Sequence, residues 1–205
     1  MIKVVIFDSD GMITYDPIFS KTYSEKYGIS IDLINPFFEG PFKDCLVGKA
    51  DLHMELKKGW LEKWGWKGSI QEFLDYWFSV GGSPNTRILS TITKLRENGI
   101  TCVLATNQEK YRAEHMISTF NYQQIFDTVF VSASVGYKKP YTDFFDAIFE
   151  HLQRIQPSLG KDEVLFWDDD IKNVQGAQNY GFLSEQYTEV DNYIEKMQSY
   201  NLPIK

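Results

Sequence analysis

The stretch Val4-Val5-Ile6-Phe7 is apolar without interruption and stops abruptly at Asp8-Ser9-Asp10-Gly11. A short apolar run with no polar alternation predicts a strand buried on both faces, the interior strand of a parallel sheet. The carboxyl ends of strands are where open α/β sheets bind ligands. Asp8 and Asp10 are two residues apart in an extended segment, so their side chains point the same way. Side-by-side carboxylates repel, and a divalent cation with oxygen ligands is the natural counter-charge.

The second half of the chain supplies partners for this strand. Thr86–Glu97 reads as a helix capped by Thr86, with Ile88, Leu89, Ile92 and Leu95 on one face and Gly99 beyond its end. Ile100–Ala105 is a second buried strand ending at Thr106-Asn107, and a helix follows over 109–120. Val129–Val131 is a third strand; a loop then runs from Ser134 to Pro140 into a helix at Thr142–Ile155. Val164–Trp167 is a fourth strand ending at Asp168-Asp169-Asp170. The helix Asn173–Tyr180, a weaker strand at Phe182–Tyr187 and a closing helix at Asp191–Tyr200 complete the pattern. Strand and helix alternating in this way demand a parallel sheet with right-handed crossovers. The expected fold class is therefore α/β: a Rossmann-like, three-layer parallel-sheet core.

Between the first strand and this alternation lies a different kind of sequence. Residues 15–85 hold 14 aromatic residues, four of the five tryptophans among them, and no convincing strand. Apolar residues recur at helical spacing in Ile18–Tyr27, Asp51–Trp64 and Ile70–Phe78. Prolines and glycines divide the stretch into short pieces, and Gly81-Gly82-Ser83-Pro84-Asn85 reads as a linker and hinge. The expectation is a core of residues 1–14 and 86–205 with an inserted all-helical subdomain, 15–85. A packed aromatic mini-core explains most of its rings.

Composition removes several function classes. The formal charge is −7, against the net positive faces that nucleic-acid backbones require. No polybasic run suggests a membrane surface, and no apolar run approaches the ~20 residues of a membrane span. Cys45 and Cys102 have neither a redox nor a metal-ligand spacing, and no signal peptide precedes the first strand. The cytoplasm is the expected compartment. His53, His115 and His151 lack metal-ligand spacing.

Polar residues of a consistent kind thus gather at one sheet edge: Asp8 and Asp10, Thr106 and Asn107, Lys139, Asp168 and Asp169. Their order resembles the four motifs of the haloacid dehalogenase-like superfamily. Phe7-Asp8-Ser9-Asp10-Gly11 matches the first and Ala105-Thr106-Asn107 the second. Gly136-Tyr137-Lys138-Lys139-Pro140 matches the third, whose functional lysine directly precedes proline. Trp167-Asp168-Asp169-Asp170 with Asn173-Val174 matches the fourth. The resemblance covers residues 1–14 and 86–190; the insert matches in place and helical character alone.

The resemblance implies a phosphatase for small phosphate monoesters. Asp8 would be the nucleophile, forming an aspartyl-phosphate, and Asp10 the acid and base at the leaving oxygen. Thr106, Asn107, Lys139 and the backbone after Asp8, at Ser9, would cradle the phosphate. Mg²⁺ would sit among Asp8, the Asp10 carbonyl and Asp169, with Asp168 a direct or indirect ligand. An acid at Asp10 favours phosphate esters over halides or phosphonates. The insert resembles the cap of the branch that holds sugar-phosphate phosphatases, phosphoglycolate phosphatase and β-phosphoglucomutase. Lys43 and Lys49 lie there and are candidates for contacting an anionic or hydroxylated leaving group. The expected partner is a small phosphorylated metabolite such as a sugar phosphate, with no nucleic acid and no membrane, and the protein a monomer or weak homodimer. A sugar phosphomutase and a non-catalytic regulatory protein on the same scaffold are the alternatives.

Overall fold

The protein is described here by a computed structural model covering residues 1–15 and 17–204. Its strands are β1 (Val4–Phe7), β2 (Thr101–Thr106), β3 (Thr128–Val131), β4 (Val164–Asp168) and β5 (Leu183–Gln186). They form one parallel sheet in the order β3-β2-β1-β4-β5. The chain winds from β1 outward to β3, then crosses back over β1 to build β4 and β5. The winding therefore reverses between β1 and β4, where an open sheet of this kind has its binding crevice.

Among the described residues, six helices lie between positions 15 and 85: α1 (Phe19–Tyr27), α2 (Ile31–Glu39), α3 (Phe42–Cys45), α4 (Leu52–Leu56), α5 (Trp60–Lys63) and α6 (Ile70–Ser79). Then come α7 (Thr86–Glu97), α8 (Lys110–Thr119), α9 (Tyr122–Ile125), α10 (Ser132–Val135), α11 (Thr142–Ile155), α12 (Ile171–Tyr180) and α13 (Val190–Ser199). Alternate strand residues serve opposite faces, as the pleat requires. Val5, Phe7, Leu104, Leu165 and Trp167 pack with Ile88, Ile92 and Leu95 of α7 and Tyr193 and Met197 of α13. Val4, Ile6, Val103, Val164 and Phe166 pack on the other face with Phe144, Phe145 and Ile148 of α11 and Ala177 of α12. Burial of each such large side chain stabilises by about 1.5–3 kcal/mol. All four residues of β1 are buried, because both faces of the central strand are covered.

The helices α1–α6 have an apolar cluster of their own, built around Tyr23, Phe37, Trp64 and Phe73. Two of its polar tips are satisfied: the Tyr23 hydroxyl donates to the Trp64 carbonyl at 3.0 Å, and the Trp64 indole to the Leu33 carbonyl at 2.9 Å, whereas the buried Tyr76 hydroxyl finds no partner among the described residues. Three local expectations need correction. The helix expected over 51–64 is two helices, α4 and α5, divided at Gly59, whose φ of 91° lies in the left-handed region that favours glycine. Helix α2 carries Pro36 within it, so a residue that reads as punctuation hid a helix. The cap of α7 is Asn85, whose side chain accepts from Arg87 and Ile88 N–H, and not Thr86.

Where the chain enters and leaves the insert, the two crossings touch. Thr14 forms an antiparallel bridge with Pro84, and Asn85 N–H donates to the Ile13 carbonyl at 2.7 Å. Gly82 lies so close to the Tyr15 carbonyl that a Cβ there would collide with it. The insert also meets the core at a second place. Ser132 Oγ donates to the Leu46 carbonyl at 2.6 Å, and the Tyr111 hydroxyl of α8 donates to Asp51 Oδ2 at 2.6 Å. Gly48 approaches the Ala133 carbonyl too closely to admit a side chain. No helix among the described residues is long and apolar enough to cross a membrane. Cys45 and Cys102 are free and buried.

Candidate active site

The β1–β4 pairing sets Phe7 beside Trp167, and the Asp8 N–H donates to the Trp167 carbonyl at 3.0 Å. One residue further along, Asp8 and Asp168 face a common partner. Lys139 Nζ donates to Asp8 Oδ1 and to Asp168 Oδ2, each at 2.6 Å. All three side chains are buried. Burial alone would pull the Lys139 ammonium down, but the two carboxylates outweigh it and hold the group above its ordinary range. Burial, reinforced by Asp168, pushes the Asp8 carboxyl well above the usual carboxylate range against the pull of Lys139. One ammonium between two acids leaves a buried negative charge uncompensated.

Asp169 adds to that excess. It is more exposed, yet desolvation and then Asp168 raise its carboxyl too. Its side chain lies over Gly11, whose φ is +79° and where a Cβ would strike the Asp169 carboxylate. Asp8, Asp168 and Asp169 each offer an oxygen within 4.8 Å of the others. An all-oxygen anionic donor set of this kind fits a hard divalent cation such as Mg²⁺. Asp168 is fixed from behind: its Oδ1 accepts from Asp170 N–H and from Asn173 Nδ2, both at 2.9 Å. Asp170 in turn caps α12 through Lys172 N–H.

Thr106 ends β2, buried beside this group. Asn107 lies next to it but spends both ends of its amide on one neighbour. Its Oδ1 accepts from Lys139 N–H at 2.9 Å and its Nδ2 donates to the Lys139 carbonyl at 3.1 Å. The Asn107 side chain therefore positions the lysine, leaving its backbone as the part that can face an anion. Ser9 is fully buried, with its hydroxyl 3.3 Å from that of Tyr122 in the core. Its backbone, too, is the part that can serve the site.

Asp10 is held by residues that sequence reasoning did not single out. Arg112 of α8 grips it in two places, Nη1 on Oδ2 at 2.7 Å and Nη2 on Oδ1 at 3.2 Å. Gln108 Nε2 also donates to Oδ2, and Thr14 Oγ1 donates to Oδ1 at 3.4 Å. Glu109 orients α8 by accepting from the Tyr111 and Arg112 N–H groups through its carboxylate. A signal for Arg112 was present in the sequence. A cation in the first turn of a helix opposes the helix dipole and needs an anionic partner. Lys49 lines a cavity with Asp51, Glu109 and Tyr111, and Lys43 lies close enough to Lys138 to depress it further, after desolvation. Neither borders the cavity that contains Asp10.

The chain belongs to the haloacid dehalogenase-like hydrolase family, whose model matches residues 57–184. A sesquiterpene phosphatase of Aspergillus oryzae is 29% identical over 107 residues. That match covers 52% of each chain, so this chain spans about half the length of that relative. Among solved structures, a haloacid dehalogenase family enzyme of Bacteroides thetaiotaomicron in complex with magnesium and inorganic phosphate has a TM-score of 0.78 at 20% identity. The likeness covers 95% of this chain and 99% of that one. A predicted hydrolase of the same type from Porphyromonas gingivalis reaches 0.76 at 23% identity, covering 98% of both chains. At these identities the structures establish the fold.

Proposed function

We propose that this protein is a Mg²⁺-dependent phosphomonoesterase acting on a small organic phosphate through an aspartyl-phosphate. The observation that carries the reading is the buried ammonium of Lys139 shared by Asp8 and Asp168. It fixes one oxygen of Asp8 and leaves Oδ2 to attack phosphorus. The names of the phosphatase relative and of the phosphate-bound family enzyme agree with it. The cation, when bound by Asp8, Asp168, Asp169 and the Asp10 carbonyl, offsets the charge of the phosphate and of the acids around it.

The chain's own groups do the following. Asp8 Oδ2 forms a bond to phosphorus as the bond from phosphorus to the alcohol oxygen breaks. Asp10 gives its proton to that departing oxygen. It then takes a proton from a water molecule, whose oxygen attacks the same phosphorus and breaks the bond to Asp8. Inorganic phosphate leaves, and Asp10 is protonated again. Lys139, Thr106 and the N–H groups after Asp8 hold the phosphoryl oxygens. Arg112 and Gln108 aim Asp10. Residues 15–85 act as a cap over the core of 1–14 and 86–205, limiting water and choosing the alcohol.

The test is phosphate release from a panel of phosphomonoesters, with Mg²⁺ and with excess chelator. Expected is metal-dependent release by the wild type and none by Asp8→Asn at equal thermal midpoint. Full turnover in chelator, or by Asp8→Asn, sinks the reading.

A further inference from the structure

Asp10 serves the leaving oxygen in the proposed reaction, so the alcohol must lie on the Asp10 side of the phosphorus. A cavity of about 250 Å³ opens there, bordered by Asp10, Arg112, Pro17, Ile18, Phe19, Trp77, Val80 and Gly81. Apart from Asp10 and Arg112, the described side chains that border it are aliphatic or aromatic, with the Trp77 indole N–H the one other polar group among them. The two charged groups are joined to each other in a two-point ion pair. Among the described residues, no other charged or amide side chain borders this space.

We infer that the leaving group is an apolar alcohol, aromatic or branched, and not a sugar. The inference rests on the phosphomonoesterase reading and names its substrate class. A sugar buried here would bring several hydroxyls to a wall of Phe19, Trp77, Ile18 and Val80. Each buried hydroxyl without a partner loses its bond to water and gains nothing in return. An apolar alcohol gains from the same wall. Ile18 shows why the wall wants an occupant. It is 72% exposed, an isoleucine facing solvent at the mouth of the cavity. The rings of Phe19 and Trp77 stack 4.9 Å apart and belong to the packed cluster of the insert, so they form a preorganised surface. Size agrees as well. An apolar cavity of roughly 150 Å³ accommodates a benzene ring, so this one holds a ring with a branch or a short branched chain. Lys49, the candidate for a hydroxylated ligand, lies in another cavity.

The experiment compares kcat/KM for three phosphoryl donors on the same enzyme with Mg²⁺: a branched or benzylic alcohol monophosphate, glucose 6-phosphate, and acetyl phosphate. The last, an acyl phosphate whose leaving group is too small to use the cavity, reports on phosphoryl transfer to Asp8, the step that the phosphomonoesterase reading requires. Expected is turnover of acetyl phosphate that Asp8→Asn abolishes, with the apolar ester preferred over glucose 6-phosphate at least tenfold. Ile18→Asp should lower the ratio of apolar ester to acetyl phosphate about tenfold at an unchanged thermal midpoint. Trp77→Ala, checked for folding, should lower it further. Acetyl phosphate turnover with glucose 6-phosphate equal or better overturns the substrate class and leaves the phosphatase standing. No release from any donor overturns both.

Discussion

The sheet edge and the helical insert solve opposite problems with opposite materials. At the sheet edge the ends of β1 and β4 bring acids, and the loop between α10 and α11 one lysine, into a buried cluster, and the backbone decides where each stands. In the insert no strand dictates position. Rings packed on rings set the shape of the wall, and charges stay at its margins. On the proposed reading, the chemical step is thus written in topology and the choice of alcohol in side-chain packing. Substitutions at the edge should fail through charge; substitutions in the insert should fail through shape.

The largest expected effect tests the charge half. Lys139→Ala leaves Asp8 and Asp168 buried without their cation, which typically costs about 3–5 kcal/mol and should abolish activity. Adding Asp168→Asn should recover much of the stability, read from urea unfolding in chelator, but none of the turnover. A lysine variant of wild-type stability would mean that the cluster is not the charged knot described. Next, Asp8→Asn should lower kcat by at least about a thousandfold with little change in thermal midpoint. If stability fell as far as activity, the edge would be structural.

A third test uses pH. In the cation-free protein the Asp8 and Asp169 carboxyls are raised by burial above the ordinary 3.8. The folded state then binds more protons than the unfolded one between those values. Stability from these groups is present at low pH and falls as pH rises from 3.8 through the raised folded values. The raised Lys139 works in the same sense only above 10.5, outside that window. Thermal midpoints in chelator should therefore slope downward from pH 4 toward neutrality, and Mg²⁺ should flatten the slope. At a hundred times its dissociation constant the ion adds about 2.7 kcal/mol. An identical slope with and without Mg²⁺ would remove the cation from the cluster.

Smaller effects probe the shape half. Gly82→Ala places a methyl group against the Tyr15 carbonyl and should cost about 1–3 kcal/mol, with loss of hydrogen-exchange protection in the insert. Tyr111→Phe removes the hydrogen bond to Asp51. It should cost only about 0.5–1 kcal/mol and raise exchange at the α3–α4 end. An unchanged exchange pattern would show that this contact does not hold the insert down.

The two regions also differ in how far they could be read from sequence. β1 and β4 announced themselves because a strand covered on both faces must be apolar throughout, and Asp8 and Asp168 stood out where that rule stops. Lys139 could be chosen because proline follows it. The first-turn cation Arg112 calls for an anionic partner, but that the partner is Asp10, and that Gln108 just ahead of α8 joins it, depends on how the helix docks, which local pattern does not encode. In the insert, ring content revealed a packed cluster but not its helices. Gly59 and Pro36 have contrary roles there, one dividing a helix and the other sitting inside one. Lys43 and Lys49 stand out by charge and by their place in the insert; Lys49 lines a second cavity, while Ile18, Phe19 and Trp77 border the one beside Asp10.

The joined crossings at Thr14 and Pro84 have a mechanical consequence. Two independent linkers would let the insert tumble about either one. A pair of chains bridged side by side, with Asn85 bonded to Ile13, behaves as a ribbon, stiff in its own plane and compliant across it. Any rotation of the insert would then be confined largely to one axis, running across the ribbon between β1 and α7. Ile18 and Phe19 follow the Thr14 crossing by a few residues, and Val80 precedes the Pro84 crossing by as little. A small angle of swing therefore moves the cavity wall very little, while the far contacts of Leu46 and Asp51 travel along a long arc. On the proposed reading, the surface facing the alcohol would keep its form while the contacts at Leu46 and Asp51 part.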